Sequence, residues 1–456
     1  MNKMINIKID SRKIVKGDIF VCIKGHTVDG HDYVDVAIKN GAVKIISERE
    51  MDIDVSLEVV DSTEVWLEKY LIDNYSATIN QMKLIGVTGT NGKTTTCYLV
   101  YQMLNFLSLR TAYIGTIGFH TLENEIEVDN TTPNILDLYS MLLEAKENDY
   151  KCVVMEVSSH ALSLGRVNGL NFCAGAFTNL TQDHLDYHNT MDEYKKAKLL
   201  LTSKLTNDAS MIVNVDVPDH EDFLVKNSKS LGIKGNDYKI NNYKMTINGT
   251  DINFVVNKCE YTLRTNLTAI FNVYNYMTAL ALCNSLGYSI DEIIAISGLV
   301  NPPIGRAQII KVNGGIAVVD YAHTPDAVEK IIMSFKEIEH KKIVTIVGCG
   351  GDRDPKKRPI MGEVATRESD YVIFSNDNPR TEDPNKIMED IIGGVTSDNY
   401  QIIFDRKEAI KKALDMLGEN DILLLLGKGH EEYQIVGHTK MHLSDIEEVE
   451  KYLENQ

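Results

Sequence analysis

Glycine, lysine and hydroxyl side chains follow one another in Gly89-Thr90-Asn91-Gly92-Lys93-Thr94-Thr95. Glycines let backbone N–H groups close on phosphate oxygens, and a lysine after the second glycine reaches terminal phosphates. A hydroxyl after it suits Mg²⁺ on those phosphates. The commoner loop has a further glycine five residues before Gly92, where this chain has Val87, so the loop is a narrower form. The alternative reading of the residues alone is an ordinary glycine turn. Further along, Glu156 ends an apolar run and is followed by Ser158-Ser-His160. Asp183, His184, Asp186 and His188 place four titratable groups within six residues. His184 in that cluster suits a metal or a phosphate, against the alternative of a solvated turn. Lys198, by composition, is one of several surface lysines on a helix. Asn272 and Asn275 lie one helical turn apart and share a face. They suit the edge of an adenine, with helix capping as the alternative.

The elements around these residues decide between the readings. Leu84–Val87 is an apolar run of strand length, and an apolar helical pattern runs from Lys93 to about Leu109. Strand, glycine loop and helix in that order place phosphate at a helix N-terminus, where the backbone dipoles favour an anion. Lys151–Val157 reads as a second buried parallel strand. Its carboxyl end carries Glu156, on the edge where open α/β sheets bind ligands. Past Pro302-Pro303, a plausible hinge with Gly305, five apolar strands alternate with helical stretches and predict a doubly wound sheet. They cover 316–320, 343–348, 371–375, 401–404 and 421–427. Four of their ends carry polar chemistry: Asp320-Tyr-Ala-His-Thr-Pro, Gly348-Cys-Gly-Gly-Asp-Arg-Asp, Asn376-Asp-Asn-Pro-Arg-Thr and Gly427-Lys-Gly-His-Glu. Arginine forks grip carboxylates, so this edge suits a zwitterionic small molecule.

Three units result: 1–80, 81–304 and 305–456. The first alternates turns with a strand near 17–25, a helix over 32–41 and a strand over 43–47. Its Ser11 and the loop at His26 read as ordinary turns with a capacity for ligand. At 456 residues the chain exceeds one core. A formal charge of −18 argues against a nucleic-acid partner but not against a small anion in a local positive pocket. No apolar stretch is long enough to cross a bilayer, and no signal-peptide pattern opens the sequence. Seven scattered cysteines without metal-finger spacing read as reduced, buried thiols in a cytosol.

Taken together, the motifs resemble the Mur ligase family. The match spans essentially the whole chain and rests on the order of Asp10-Ser-Arg, the glycine loop, Asn130-Thr-Thr-Pro, Met155-Glu-Val-Ser-Ser-His, Thr178-Asn-Leu-Thr-Gln-Asp-His-Leu-Asp-Tyr-His, Tyr194-Lys-Lys-Ala-Lys, Phe271-Asn-Val-Tyr-Asn, and the four strand ends above. The resemblance implies an α/β protein of three domains: a small N-terminal UDP-sugar domain, a central ATPase with a mostly parallel sheet, and a C-terminal Rossmann-like domain. It implies an ATP-dependent ligase of cell-wall synthesis, cytoplasmic and monomeric, with Mg²⁺ at two sites. ATP would phosphorylate the D-glutamate γ-carboxylate of UDP-N-acetylmuramoyl-L-alanyl-D-glutamate, and an amino acid's amine would attack the acyl phosphate. Alternatives within and beyond the enzymes are a ligase using L-lysine, a folylpolyglutamate-synthetase-like sibling, and a non-catalytic nucleotide-binding regulator. The last should have lost Lys93, Glu156, His184 or Lys198, and all are present.

By resemblance, residues 89–95 with Asn272, Arg306 and Asp320 contact ATP. Thr94 would hold one Mg²⁺; Glu156 and His184 would hold another. Lys198 matches a lysine that the family carbamylates with CO₂, which reverses the surface reading. Ser11, His26, Thr27 and Val28 match uridine contacts. Asn130, Thr131, Thr132, Ser158 and Arg166 match contacts to the muramoyl dipeptide. Arg353, Asp377, Asn378, Pro379, Arg380, Gly427 and Glu431 match contacts to meso-diaminopimelate. There Arg380 would grip the distal carboxylate, a group lysine lacks, and Glu431 would face the distal ammonium. The chain departs from the family pattern at Leu164, at Gln308 in place of glutamate, and at Ala269 in place of glycine.

Overall fold

The computed structural model describes residues 5–25, 28–312 and 314–455. The described residues build three main sheets and a separate two-stranded hairpin. The first has four parallel strands, Ile7–Lys8, Ile19–Val21, Lys44–Ser47 and Ser56–Val59, in that order. Helix Val34–Asn40 ends at Gly41, whose φ of +111° is a conformation glycine adopts without strain. Phe20 and Ile45 face a small core of their own, while Val21 and Ile46 turn towards the neighbouring unit.

The second sheet has eleven strands. Its parallel centre runs Tyr238–Thr246, Ser228–Gly232, Leu205–Asn214, Phe172–Phe177 (β3), Lys83–Thr88 (β1), Cys152–Glu156 (β2) and Thr111–Gly115. Antiparallel strands flank it on both edges. In β1, Ile85 and Val87 point to the face covered by helices Lys93–Phe106 (α1) and Ile270–Ser285 (α3), and Leu84 points to the opposite face. Each such side chain contributes about 1.5–3 kcal/mol by leaving water, which is why an uninterrupted apolar run sits between two helical layers. Helix Met191–Leu199 (α2) follows β3 and continues as a tighter turn to Lys204.

The third sheet is the doubly wound one the alternation predicts. Its order is Gln308–Val312, Gly315–Asp320 (β4), Ile422–Leu426 (β7), Ile343–Val347 (β5), Tyr371–Phe374 (β6) and Tyr400–Ile402. The first strand is antiparallel and the rest are parallel. Helices Pro325–Lys336, Lys357–Glu368 (α4) and Pro384–Ile392 cover one face, and Arg406–Asp415 with Asp445–Glu454 cover the other. Strand Gln308–Val312 and the hairpin Tyr433–Val436/Thr439–His442 were not anticipated from sequence. The first is half-buried and the hairpin's second strand is exposed throughout, and neither has the apolar run that marks a buried strand. One cysteine departs from expectation: Cys259 is exposed on an edge strand, while five others are buried and Cys173 is half-buried. No helix among the described residues is long and apolar enough to cross a membrane.

Candidate active site

The glycine loop leaves β1 at Thr88 and enters α1 at Lys93. Two close approaches require its glycines. A Cβ on Gly89, at φ +151°, would lie 1.9 Å from Thr178 Oγ1, and one on Gly92, at φ +85°, would lie 2.4 Å from Asn275 Oδ1. The residues after β3 hold the loop. Thr178 Oγ1 donates to the Asn91 carbonyl (2.6 Å), and Asn179 Oδ1 accepts from the Asn91 amide (2.9 Å). Tyr194 of α2 and the Thr181 amide both bond Thr90 Oγ1. Lys93 Nζ donates to the carbonyls of Gly89 (2.9 Å) and Thr90 (2.8 Å). Lys198 Nζ donates to the same Gly89 carbonyl at 2.8 Å and lies 4.2 Å from the centre of the Tyr194 ring. Lys198 is therefore fully buried, not a surface lysine. Burial, and then the charge of Lys93, hold its pKa well below that of a free lysine. Lys93 is lowered too, by burial, with Glu156 and Asp183 opposing.

Glu156 is buried at the end of β2. Its Oε1 accepts from the Tyr113 hydroxyl (2.6 Å) and the Thr116 amide (2.8 Å); its Oε2 accepts from Thr94 Oγ1 (3.0 Å) and Thr116 Oγ1 (3.3 Å). Thr131 Oγ1 bonds Thr116 Oγ1 at 3.0 Å. Thr132 Oγ1 donates to the Glu156 carbonyl and accepts from the Ser158 amide, and Arg166 Nη1 donates to the Thr132 carbonyl at 2.8 Å. Thus the Thr131–Thr132 turn, Ser158 and Arg166 gather around Glu156, with Asn130 exposed beside them. His184 has left-handed backbone (φ +53°), is exposed, and meets His160 edge-on, ring centres 4.8 Å apart. Its ring lies 6.1 Å from that of Tyr194, so His184 and Lys198 flank the same tyrosine. No three His, Cys, Asp or Glu side chains among the described residues are arranged to hold a metal ion. Asn272 and Asn275 do share a face, but neither caps the helix. Asn275 Nδ2 donates to Asn272 Oδ1, and Asn272 Nδ2 donates to the Thr268 carbonyl. Ala269, at the departure from glycine, takes φ +83° and ψ +140°.

The third unit reaches the loop. Arg306 Nη2 lies 3.4 Å from Thr94 Oγ1, and Asn91 Nδ2 lies 3.4 Å from Asp326 Oδ2. Arg306 stacks on Tyr321, and its buried Nε has no partner. Asp320 is committed to the backbone, accepting from the amides of Ala307 (2.7 Å) and Ala322 (2.8 Å). Burial raises its pKa against the opposing pull of Arg306. Gln308, the second departure, accepts from the Gly305 amide as a carboxylate would. At the carboxyl ends of β6 and β7, Asn378 Nδ2 donates to Glu431 Oε2 (2.9 Å), and Asn378 Oδ1 accepts from the Ile435 amide. The Ile435 carbonyl accepts from the Arg380 amide, and Arg380 Nη1 donates to the Gly351 carbonyl at 2.8 Å. Arg380 and Asp352 both adopt positive φ, +52° and +53°. Gly427, at φ +108°, leaves room for Asp377, whose Oδ2 would lie 3.1 Å from a Cβ there. The Pro379 carbonyl packs far more tightly on Gly351, and Arg353 is exposed.

Three family models match in chain order. The Mur ligase family catalytic-domain model covers residues 3–78, the Mur ligase middle domain 87–283, and the Mur ligase glutamate ligase domain 305–429. A UDP-N-acetylmuramoyl-L-alanyl-D-glutamate--2,6-diaminopimelate ligase of Bacillus cereus is 40% identical over 459 residues, covering 98% of this chain and 93% of that protein. The chain belongs to the Mur ligase family. A like-named ligase of Halalkalibacterium halodurans is 40% identical over 438 residues, covering 94% of this chain and 90% of that protein. A solved structure of a ligase with the same name superposes with a TM-score of 0.69 at 30% identity, covering 99% of this chain and 95% of that one. MurF ligase from Thermotoga maritima in complex with ADP shares the fold, with a TM-score of 0.71 at 20% identity, covering 100% of this chain and 98% of that one.

Among the residues read from sequence, this Mur ligase brings Lys93, Thr94, Glu156, Lys198, Arg306 and the Thr131–Thr132 turn to one centre, and Asn378, Arg380, Gly427 and Glu431 to another. Ser11 is buried in the first sheet unit, where its carbonyl accepts from Asn40, and Val28 is exposed there. His26 and Thr27 lie outside the described residues. Several site neighbours went unremarked. Tyr113 and Thr116 were hidden in apolar and turn sequence. Lys428, fully buried, pairs with Glu431 (3.2 Å) and Asp377 (3.8 Å). Its only signal was its place in Gly427-Lys-Gly-His-Glu at a strand end.

Proposed function

We infer that this chain joins meso-diaminopimelate to the D-glutamate γ-carboxylate of UDP-N-acetylmuramoyl-L-alanyl-D-glutamate at the expense of ATP, through the residues assigned above. The observation that carries the amino-acid specificity is the pairing of one cation and one anion at a single sheet edge. Arg380 and Glu431 are tied together through Ile435 and Asn378. A distal carboxylate and ammonium match that pair, whereas lysine would bring an ammonium to Arg380 with nothing for the guanidinium to hold.

A carboxylate is a poor electrophile. Its oxygen attacks the γ-phosphorus, ADP leaves, and the acyl phosphate then accepts the amine's electron pair. The tetrahedral species expels phosphate as the amide forms, and the amine's proton goes to solvent. Little covalent chemistry falls to the protein, so its work is positioning and charge neutralisation. Lys93 and Arg306 offer cations to the transferring phosphoryl group, and the unpartnered Arg306 Nε suits an anion. Thr132, Ser158 and Arg166 hold the dipeptide end beside Glu156. Thr94 and Glu156 offer hard oxygen donors, which fit a Mg²⁺ that takes one or two carboxylates plus phosphate oxygens. Bound there, Mg²⁺ supplies neutralisation of the β- and γ-phosphate charge. Burial favours the uncharged form of the Lys198 amine, and the lone pair of that form can attack CO₂, form an N–C bond and lose a proton to give a carbamate.

The test is phosphate release with ATP, Mg²⁺ and the UDP-muramoyl dipeptide, each amino acid being given alone. Release with meso-diaminopimelate and not with lysine supports the reading. Release with lysine alone retains the ligase and overturns the specificity. No release with any amino acid overturns the acceptor.

A further inference from the structure

Arg358 is the second residue of α4, outside every motif contact named above, and it is completely buried. Its Nη1 donates to Asp390 Oδ2 (2.8 Å) and Glu382 Oε1 (3.2 Å), and its Nη2 donates to Glu382 Oε2 (2.5 Å) and the Gly350 carbonyl (3.3 Å). Glu382 Oε2 also accepts from the Asp352 amide (2.9 Å). Asp352 in turn accepts from the Thr381 amide and hydroxyl, and the Gly351 amide donates to the Asn378 carbonyl. The loop after β5 and the loop after β6 are thus laced together, with Arg358 under both. The fit is close: a Cβ on Gly351 would lie 1.9 Å from the Pro379 carbonyl oxygen, and one on Gly350 would lie 2.9 Å from Arg380 Nη1.

The lacing has something to hold. Asp352 and Arg380, one in each loop, both sit at positive φ without being glycine. Left-handed backbone is unfavourable for a residue with a side chain and persists only where its surroundings impose it. A buried arginine also needs its charge met, and Glu382 does so with two bonds and Asp390 with one.

We propose that Arg358 is a positioning residue: through Glu382 and Gly350 it fixes the Arg380 guanidinium that selects the distal carboxylate of the amino-acid substrate. This rests on the assignment of Arg380 given above. Glu382→Gln, whose side chain is partly exposed, and Arg358→Lys are the variants, and KM and kcat are measured for meso-diaminopimelate, lysine and ATP. Expected is a KM for meso-diaminopimelate raised about 10–100-fold, an unchanged KM for ATP, and a preference over lysine reduced by the same factor. Glu382→Gln, which keeps the fold's buried arginine, should show it even if Arg358→Lys does not fold. A wild-type enzyme without that preference overturns the Arg380 assignment. A wild type that has the preference and loses it in Arg380→Ala, while Glu382→Gln keeps it, overturns the positioning role alone. A lowered melting temperature with both KM values unchanged overturns it too, because that is the signature of a purely structural ion pair.

Discussion

Replacing Gly89 by alanine tests the close approach on which the phosphate loop is built. The new Cβ would stand 1.9 Å from Thr178 Oγ1, and 3.1 and 3.2 Å from the amide and carbonyl of Asn179. Thr178 would have to rotate and give up its 2.6 Å bond to the Asn91 carbonyl, about 1 kcal/mol. The backbone at φ +151° adds on the order of 1–3 kcal/mol for any residue with a side chain. The sum, about 2–4 kcal/mol, corresponds to roughly 30–1000-fold in an equilibrium. Because Lys93 and Lys198 both bond the Gly89 carbonyl, the strain falls on nucleotide affinity as well as on stability. Calorimetric titration with ATP and a thermal melt read the two effects. The Thr178→Ala background removes the 1.9 Å contact but leaves the backbone conformation. There Gly89→Ala should cost at least about 1 kcal/mol less. An equal cost in both backgrounds, or ATP affinity within threefold of wild type, would refute the steric argument.

Ala269 holds a backbone conformation that glycine adopts freely, so Ala269→Gly should stabilise the protein by about 1 kcal/mol or more, seen as a raised melting temperature. Lys198→Ala should lose most activity, with partial recovery on adding a short carboxylic acid; wild-type activity should fall in CO₂-stripped buffer and return with bicarbonate, while the variant ignores both. Burial pushes the His430 pKa down to about 4. The folded state therefore resists a proton that the unfolded chain accepts near pH 6.5, so stability drops as pH falls from about 6.5 towards 4. Denaturant midpoints across that range should fall, and less so in His430→Phe.

The α/β alternation of the third unit and the strand, loop and helix around Lys93 were legible because apolar runs and glycines are local signals. Lys198 was not. A lysine in Tyr194-Lys-Lys-Ala-Lys looks solvated until tertiary packing closes the Gly89 turn over it, and only the family resemblance pointed inward. Arg358 was hidden in the same way within Lys356-Lys-Arg, since its two carboxylate partners lie 24 and 32 residues away. Asp320 was assigned to ATP by the family resemblance, and it ends a strand at the binding edge. Its oxygens are spent on two backbone amides that set the path of Arg306, a role that no spacing reveals. The strand Gln308–Val312 escaped because an edge strand with one exposed face has no continuous apolar run.

A chain of net charge −18 meets anionic substrates by concentrating its cations where the backbone already favours an anion. Lys93, Lys198 and Arg306 converge on the N-terminus of α1, and two of them share one carbonyl acceptor. That sharing couples the two lysines. A phosphate that draws Lys93 away from Gly89 would leave the carbonyl to Lys198 alone and offset the Lys93 charge that adds to burial in lowering its pKa. Nucleotide and the chemistry of the Lys198 amine are then linked through a single backbone oxygen. A carbamate keeps the N–H that this oxygen needs while reversing the charge beside it. Either form of Lys198 would then offer the Gly89 carbonyl a donor.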